Sequence, residues 1–543
     1  MEKRLVLFFL ISFMIILGHS VLFRSKQPAM LNPISTPVEQ SNPALPIKEQ
    51  TDATKVNDNT PVITPEAVAQ LQTQSQTIYL ENSLMKIGIS SLGASIKECI
   101  LKPTAIIRTG EYTLISQAES PALQPLAITR FGDYGDLSGR IYQLVEQKND
   151  QVVFQTDVDQ NVVLVKTFKL DPTQSLLYLE VTVKNQKNEN IDIFKGFDLN
   201  IGQKRSEGKR DQTNMWQINY IIGEGKGNFV KKMLNSIKER NIALGDIHWA
   251  GFGDKYFMTI VDADASTDGL IFDRIALESI YYLTGLRTMA FSLAAQQSVE
   301  QKFSIYLGPK DLDTLSAIGR NYETVLGFHG FLGPITKILL RSLRIFYQWF
   351  HNYGLAIILL TIGIKILFFP LTHISFQSMK KMRIIQPKLV ALREQYKDNP
   401  KKMQQMTMAL YKENGVNPLS GCLPIAIQIP IFMAFYQLLV GCIELRGATF
   451  LWIKNLSEAD TIAHLGTIPI NILPVLMGIS MVWQQKMTPA PDPQQAKMMM
   501  FMPIVFTFLF YNLGSGLVLY WLVNNVISIG QQYWAQGQVP TPV

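Results

Sequence analysis

At 543 residues the chain exceeds one ordinary domain, and its 47% apolar and 17% charged side chains are unevenly distributed, the apolar ones falling in a few dense blocks that describe a membrane protein with a water-exposed part. The formal charge of +7 does not indicate sequence-specific nucleic-acid binding, because the basic residues cluster between apolar blocks, where orientation bias and lipid headgroups account for them. Three cysteines, Cys99, Cys422 and Cys442, exclude a disulfide framework, since the last two would stand about 30 Å apart on one helix.

Lys3 and Arg4 precede an uncharged run, Leu5 to Phe23, long enough for a span and without an obvious small-x-small cleavage site. Residues 1–24 are therefore expected to be an uncleaved anchor with a cytoplasmic N-terminus. Residues 25–76 carry prolines at 28, 33, 37, 43, 46, 61 and 65 among Ser, Thr, Asn and Gln, which predicts a flexible linker. From residue 77 to 330 short alternating runs recur, such as Val162–Leu170 and Leu176–Val183 around the breaker Asp171-Pro-Thr-Gln174. That texture predicts a large antiparallel β-sandwich. Its acids are scattered over turns and its histidines, His248 and His329, are isolated, so neither paired catalytic carboxylates nor a metal site is expected.

Residues 331–351 space Leu332, Ile335, Ile338, Leu339, Ile345 and Phe346 beside Lys337, Arg341 and Arg344, as an amphipathic helix at the membrane surface does. The apolar run Tyr353 to Leu371 follows, and it carries Lys365. A cation in hydrocarbon costs from roughly 3 to 10 kcal/mol or more, so such residues usually face a wet cavity. Snorkelling toward the cytoplasmic end, about 10 Å away, would account for Lys365 alone. Thr361, one turn earlier, makes a polar stripe that a plain anchor does not need.

Residues 375–414 hold nine Lys or Arg against three acids from Ser375 to Glu413, which marks a cytoplasmic segment. Met379, Met382, Ile385, Leu389, Leu392 and Tyr396, then Met403, Met406 and Leu410 after the breaker Asp398-Asn-Pro400, predict a helical hairpin with a methionine-rich seam. Uncharged blocks supply further spans at about 421–441, 467–484, 498–513 and 515–533, which with 1–24 and 353–373 make six and put both termini in the cytoplasm. No internal repeat points to a channel or transporter. Gly514-Ser515-Gly516, without a histidine inside a span, reads as a tight turn rather than a protease site.

The run Asn417-Pro-Leu-Ser-Gly-Cys-Leu-Pro-Ile-Ala-Ile-Gln-Ile-Pro-Ile-Phe432 resembles the hallmark of the YidC family of membrane protein insertases. The resemblance continues in Phe369-Pro-Leu-Thr372, Met382-Arg-Ile-Ile-Gln-Pro-Lys388, Leu473-Pro-Val-Leu-Met-Gly478 and Gly514-Ser-Gly-Leu-Val-Leu-Tyr-Trp521, and so covers roughly Phe331 to Gln532. It implies a multi-pass α-helical protein of the Gram-negative inner membrane, with a five-helix core in residues 352–543, a periplasmic β-sandwich similar to sugar-binding folds and a cytoplasmic hairpin. It implies insertion and folding of membrane proteins, alone or with the Sec translocon, without enzyme chemistry or cofactor. The alternatives are a channel or transporter with a buried lysine, and a carbohydrate-binding envelope protein, which the sandwich suggests.

In that family the core encloses a hydrophilic groove, open to the cytoplasm and to lipid, containing one positive residue. Lys365 holds the matching position; arginine is commoner there, and lysine keeps the charge but lacks the bidentate fork. Thr361 and Gln428 match other groove positions. Phe432, Met477, Tyr520 and Trp521 match the apolar slide that meets a client helix, with Trp521 where tyrosine is commoner. Expected partners are nascent membrane proteins, the Sec translocon, anionic phospholipid and a translating ribosome. Family members often carry a basic tail for the ribosome, whereas Gln531 to Val543 is uncharged. Any ribosome contact is therefore expected on the hairpin, at Lys380, Lys381, Arg383, Lys388, Arg393, Lys397, Lys401 and Lys402.

Overall fold

Strands that alternate apolar and polar residues must cover one face, and the strands between residues 77 and 309 do so in stacked antiparallel sheets. The computed structural model describes residues 49–50 and 65–537, apart from 109, 207–215, 223–227, 234–236, 277–278, 329–331, 417–422 and 488–492. The expected anchor at 1–24 lies outside the described residues. A nine-stranded sheet runs, in spatial order, Asn228–Met233, Gln217–Ile222, Ile247–Gly253, Phe257–Ala263, Ser298–Pro309, Leu176–Asn185, Val162–Leu170, Gln151–Asp159 and Gln143–Gln147. A six-stranded sheet runs Glu49–Gln50, Asn241–Leu244, Thr267–Ala276, Ile280–Thr288, Phe197–Arg205 and Ile128–Phe131. Aromatic pairs bridge the two: Phe197 meets Phe303 edge-on at 6.1 Å, and Tyr220 meets Phe272 at 5.9 Å. The hairpin read at Val162–Leu170 forms with Leu170 opposite Leu177, its turn held by the Asp171 carboxylate, which accepts from the Thr173 and Gln174 amides.

The linker expectation needs correction. Pro65–Gln74 is a helix, α1, and Glu49–Gln50 add an edge to the six-stranded sheet opposite Ala243 and Ile242. Pro65 sits at the head of α1, where its missing N–H costs nothing.

The sandwich buries charge. Asp198 and Arg287, both almost fully buried, form a bidentate pair at 2.7 and 2.8 Å across neighbouring strands. Lys166 is fully buried, and its ammonium donates to the carbonyls of Gly93, Ala94 and Leu126 at 3.0, 3.1 and 2.7 Å, tying two loops to the sheet.

After the short helix α2 (Leu312–Ile318), capped by Asp311, the chain is helical: α3 Gly333–Phe350, α4 Tyr353–Leu367, α5 Phe369–Gln395, α6 Pro400–Glu413, α7 Leu423–Gly441, α8 Ile472–Met487, α9 Pro493–Phe510 and α10 Ser515–Gly537. Two expected spans are corrected. The run 353–373 breaks at Phe368, where α4 and α5 meet at 66°, because Pro370 cannot donate back into the preceding turn. The segment expected as helix from 467 instead opens as a strand, Ile468–Asn471, paired with Thr461–Leu465, and α8 begins at Ile472; Pro469 and its β-branched neighbours favour extended backbone. Among the described residues no single helix is long and apolar enough to cross a membrane; the bent pair α4–α5 passes together, and Gln428–Gly441 and Met500–Phe510 are shorter apolar helices.

The hairpin forms from α5 and α6, with Asn399 capping α6 by accepting from the Lys402 amide at 3.1 Å. Its buried cluster is Met382, Ile385, Leu389, Tyr411 and Val416, with Leu410 packed against it. The methionine seam is half right: Met379 packs instead on Phe376 and Ala535, and Met406 and Met408 are exposed, because Tyr411 fills the space opposite α5. α10 is the hub, packed against α4, α5, α7 and α8. Gly478 lets α8 approach α9, since a Cβ there would clash with Thr507 Oγ1.

Two stability predictions follow from the buried charges. Arg287→Met removes the bidentate partner of the buried Asp198 and leaves it only the longer contact to Arg240 at 3.7 Å, and it should cost about 3 kcal/mol. Arg205→Met, at the exposed pair with Glu119, should cost less than about 1 kcal/mol. Urea unfolding of both variants, followed by tryptophan fluorescence, checks the contrast. Burial also pushes Lys166 down from an ordinary value of 10.5 to about 7. The unfolded chain then binds more protons between those values, so this group's cost is greatest below pH 7 and relieved as pH rises toward 10. Wild-type stability should gain on Lys166→Met across that window, by at most about 1.4 kcal/mol per pH unit, in melts at pH 6.5 to 9.5.

Candidate functional site

α4 starts at a fixed point. Asn352 caps it, accepting from the Leu355 amide at 3.1 Å, and Tyr353 at its first turn stacks on Tyr347 of α3 at 4.1 Å. The guanidinium of Arg108, from the β-domain, lies 4.7 Å from both rings. Two more arginines complete the junction. Arg344 of α3 donates to Glu444 at 2.5 and 2.9 Å, to Asp311 at 2.6 Å and to Asp313. Arg446 lies 4.8 Å over Tyr112 and 5.2 Å over Phe257, which stack on each other at 3.8 Å. The N-terminus of α4 and the loop after α7 are thereby held against the β-domain, and Lys365 lies twelve residues, or about 18 Å, along α4 from Tyr353.

Lys365 is buried, at 8% exposure, and its ammonium donates to Ser528 Oγ on α10 at 2.6 Å. Ser528 Oγ in turn donates to the Asn524 carbonyl at 2.8 Å. Among the described residues Lys365 makes no ion pair. Thr361, also buried, spends its hydroxyl on its own helix, donating to the Ile357 carbonyl at 2.7 Å. Gln428 is not beside the lysine. Its amide donates to Tyr520 Oη at 3.4 Å, two turns up α10 from Ser528.

Sequence reasoning missed the polar face that organises this site. Tyr520, Asn524, Ser528 and Gln532 recur every four residues along the uncharged helix α10 and are all buried. Asn525 beside them donates to Ser480 Oγ of α8 at 3.1 Å, and Gln532 donates to the Met487 carbonyl at 2.9 Å. The spacing was available in the sequence, since four-residue recurrence puts side chains on one helical face.

The residues assigned to the slide gather in part. Phe432 meets Trp521 edge-on at 4.7 Å, joined by Phe506 and Phe510 at 5.6 and 5.3 Å from Trp521. Tyr520 stacks on Phe435 at 4.1 Å. Met477 is fully buried on α8, where its carbonyl accepts from Ser480 at 2.6 Å. Phe432 and Tyr520 are buried as well, and Trp521 is half-buried. Ser515 donates to the Asn455 and Glu458 carbonyls at 3.1 and 2.7 Å, as a turn residue does, not a nucleophile.

Of the hairpin cations, Lys381, Arg383, Lys388, Lys397, Lys401 and Lys402 are exposed, while Lys380 and Arg393 are half-buried. Lys402 also lies 5.3 Å over the Tyr396 ring.

Two family descriptions match in tandem, "YidC periplasmic domain" over residues 77–341 and "60Kd inner membrane protein" over residues 345–541. The membrane protein insertase YidC of Geotalea daltonii is 32% identical over 99% of this chain and 100% of its own length. That of Geobacter sp. strain M21 is 46% identical over 54% of this chain and 53% of its own. A solved structure described as an active YidC insertase with the first transmembrane domain resolved is 18% identical, covers 84% of this chain and 92% of its own, and has a TM-score of 0.36. By its full-length relatives and by both family matches, this chain belongs to the YidC family of membrane protein insertases.

Proposed function

We propose that this insertase draws a client's polar or acidic segment partway into the bilayer at Lys365 and passes the adjoining client helix into lipid beside Trp521. The observation that carries the reading is the lysine's partner: a buried ammonium held by one serine hydroxyl, with no carboxylate to neutralise it among the described residues. Such a charge is costly in hydrocarbon and attracts a carboxylate or backbone carbonyl from a client. A hydroxyl is an exchangeable partner, whereas a buried ion pair would hold the charge.

Depth supports the same reading. Tyr353 marks the periplasmic end of α4, and about 18 Å along it Lys365 falls beyond the midplane of a hydrocarbon core about 30 Å thick. Six spans with both termini in the cytoplasm fit this arrangement. Trp521 presents the half-buried surface a client helix meets first; Phe432, Met477 and Tyr520 lie behind it and become contact surface when α7 or α8 shifts. The groove needs only that a client segment reach Lys365, so clients released by the Sec translocon are served as those arriving alone. The exposed hairpin cations offer a surface for ribosomal RNA and for anionic phospholipid.

Lys365→Arg should retain insertion of clients with acidic translocated segments, and so should Ser528→Ala, which removes the holding hydroxyl but not the charge. Lys365→Ala should lose it. Protease protection of such a client in proteoliposomes reads all three, and normal insertion by Lys365→Ala at wild-type levels would overturn the role of the charge.

Neutralising Lys397, Lys401 and Lys402 together should reduce co-sedimentation with ribosomes that carry a nascent membrane protein and flatten its salt dependence. Unchanged binding across a salt series would remove the hairpin tip from the ribosome contact.

A further inference from the structure

The loop between α7 and α8 ends in a β-hairpin, Thr461–Leu465 paired with Ile468–Asn471 around Gly466, whose φ of +64° makes the turn. It is uncharged throughout and exposes both faces. Ile462, Ala463, His464 and Leu465 are all exposed, past a register shift between Thr461 and Ala463, and Leu465 and Ile468, opposite each other at the tip, are 74% and 61% exposed. An apolar two-stranded hairpin has little to hold it together in water, where one face normally packs on a core.

Its base is nevertheless fixed. Asn471 donates to the Tyr511 carbonyl at 2.6 Å, and Tyr511 Oη donates to the Pro469 carbonyl at 2.7 Å. The Asp460 carboxylate accepts from Trp452 Nε1 at 3.1 Å and from the Leu473 amide at 2.7 Å. The hairpin is thus aimed by the turn between α9 and α10. The same loop places Arg446 over Tyr112 and buries Ile443 in the core of the β-domain, which puts it on the periplasmic side. α8 leaves directly from Asn471 and carries exposed Val475, Leu476 and Ile479, so the apolar surface of the hairpin continues into the face that a membrane helix turns to lipid.

From these observations we infer that the hairpin Thr461–Asn471 is a lipid anchor, lying in the headgroup region of the outer leaflet and setting the depth of the α9–α10 turn. Its outer strand edges still need water or headgroup partners, so it lies at the interface and not in the hydrocarbon, where unpaired sheet edges do not occur. Trp452, with an apolar ring and a bonded indole N–H, suits that level. The absence of charge favours lipid over a partner recognised by complementary charge.

The test places an environment-sensitive fluorophore on Leu465→Cys, and separately on Ile468→Cys, in the full chain held as one copy per nanodisc, with the label on the unmodified chain subtracted. Glu146→Cys, on the edge of the nine-stranded sheet, is the reference. Lipids brominated near the headgroup end should quench the hairpin labels several-fold more than the reference, and aqueous iodide should do the reverse. Equal access of iodide to all three sites overturns the proposal. So does a lipid-like signal that needs two copies per disc, which would make the hairpin a self-association surface, or that needs added client, which would make it a client surface.

Discussion

A lysine inside an apolar helix bundle must have somewhere to put its proton donors, and the arrangement of this core follows from the answer. Lys365 reaches a serine on α10, whose hydroxyl is itself anchored to the carbonyl one turn back. α10 then ties to α8 through Asn525 and Ser480 and to α7 through Tyr520 and Gln428. Each contact is neutral except at Lys365 itself. A neutral polar helix face can be hydrogen-bonded within the bundle and still exchange partners, which a buried ion pair does not.

The periplasmic end is held by different chemistry. Three arginines, Arg108, Arg344 and Arg446, join the β-domain to α3, to α4 and to the loop after α7, two over aromatic rings and one among three carboxylates. Planar guanidinium groups suit both uses, stacking on rings and forking to carboxylates. The β-domain thereby fixes the outer ends of the helices that carry the site. The inner end is left to the hairpin, whose exposed cations and methionines face outward from a small buried cluster. Charged and aromatic contacts thus close the end at the β-domain, whereas the hairpin leaves most of its cations in solvent.

The sequence by itself determined the larger divisions and their chemistry. Alternating runs from residue 77 pointed to sheet, a nine-to-three excess of basic residues marked the hairpin, and a lysine within a nineteen-residue, largely apolar run marked the candidate site. Local rules suffice for these, because strand alternation and clusters of like residues depend on near neighbours; the break before Pro370 is as local, yet the expected span 353–373 ran through it. Tertiary structure alone decided which partners meet across long separations. It paired Lys365 with Ser528, 163 residues away, and Arg344 with Glu444, 100 away. It added Tyr411 to the hairpin cluster while leaving Met406 outside it, and turned the start of a supposed span into a hairpin. Those outcomes depend on which faces of separate helices pack together, and a face acquires a partner only once the chain has folded.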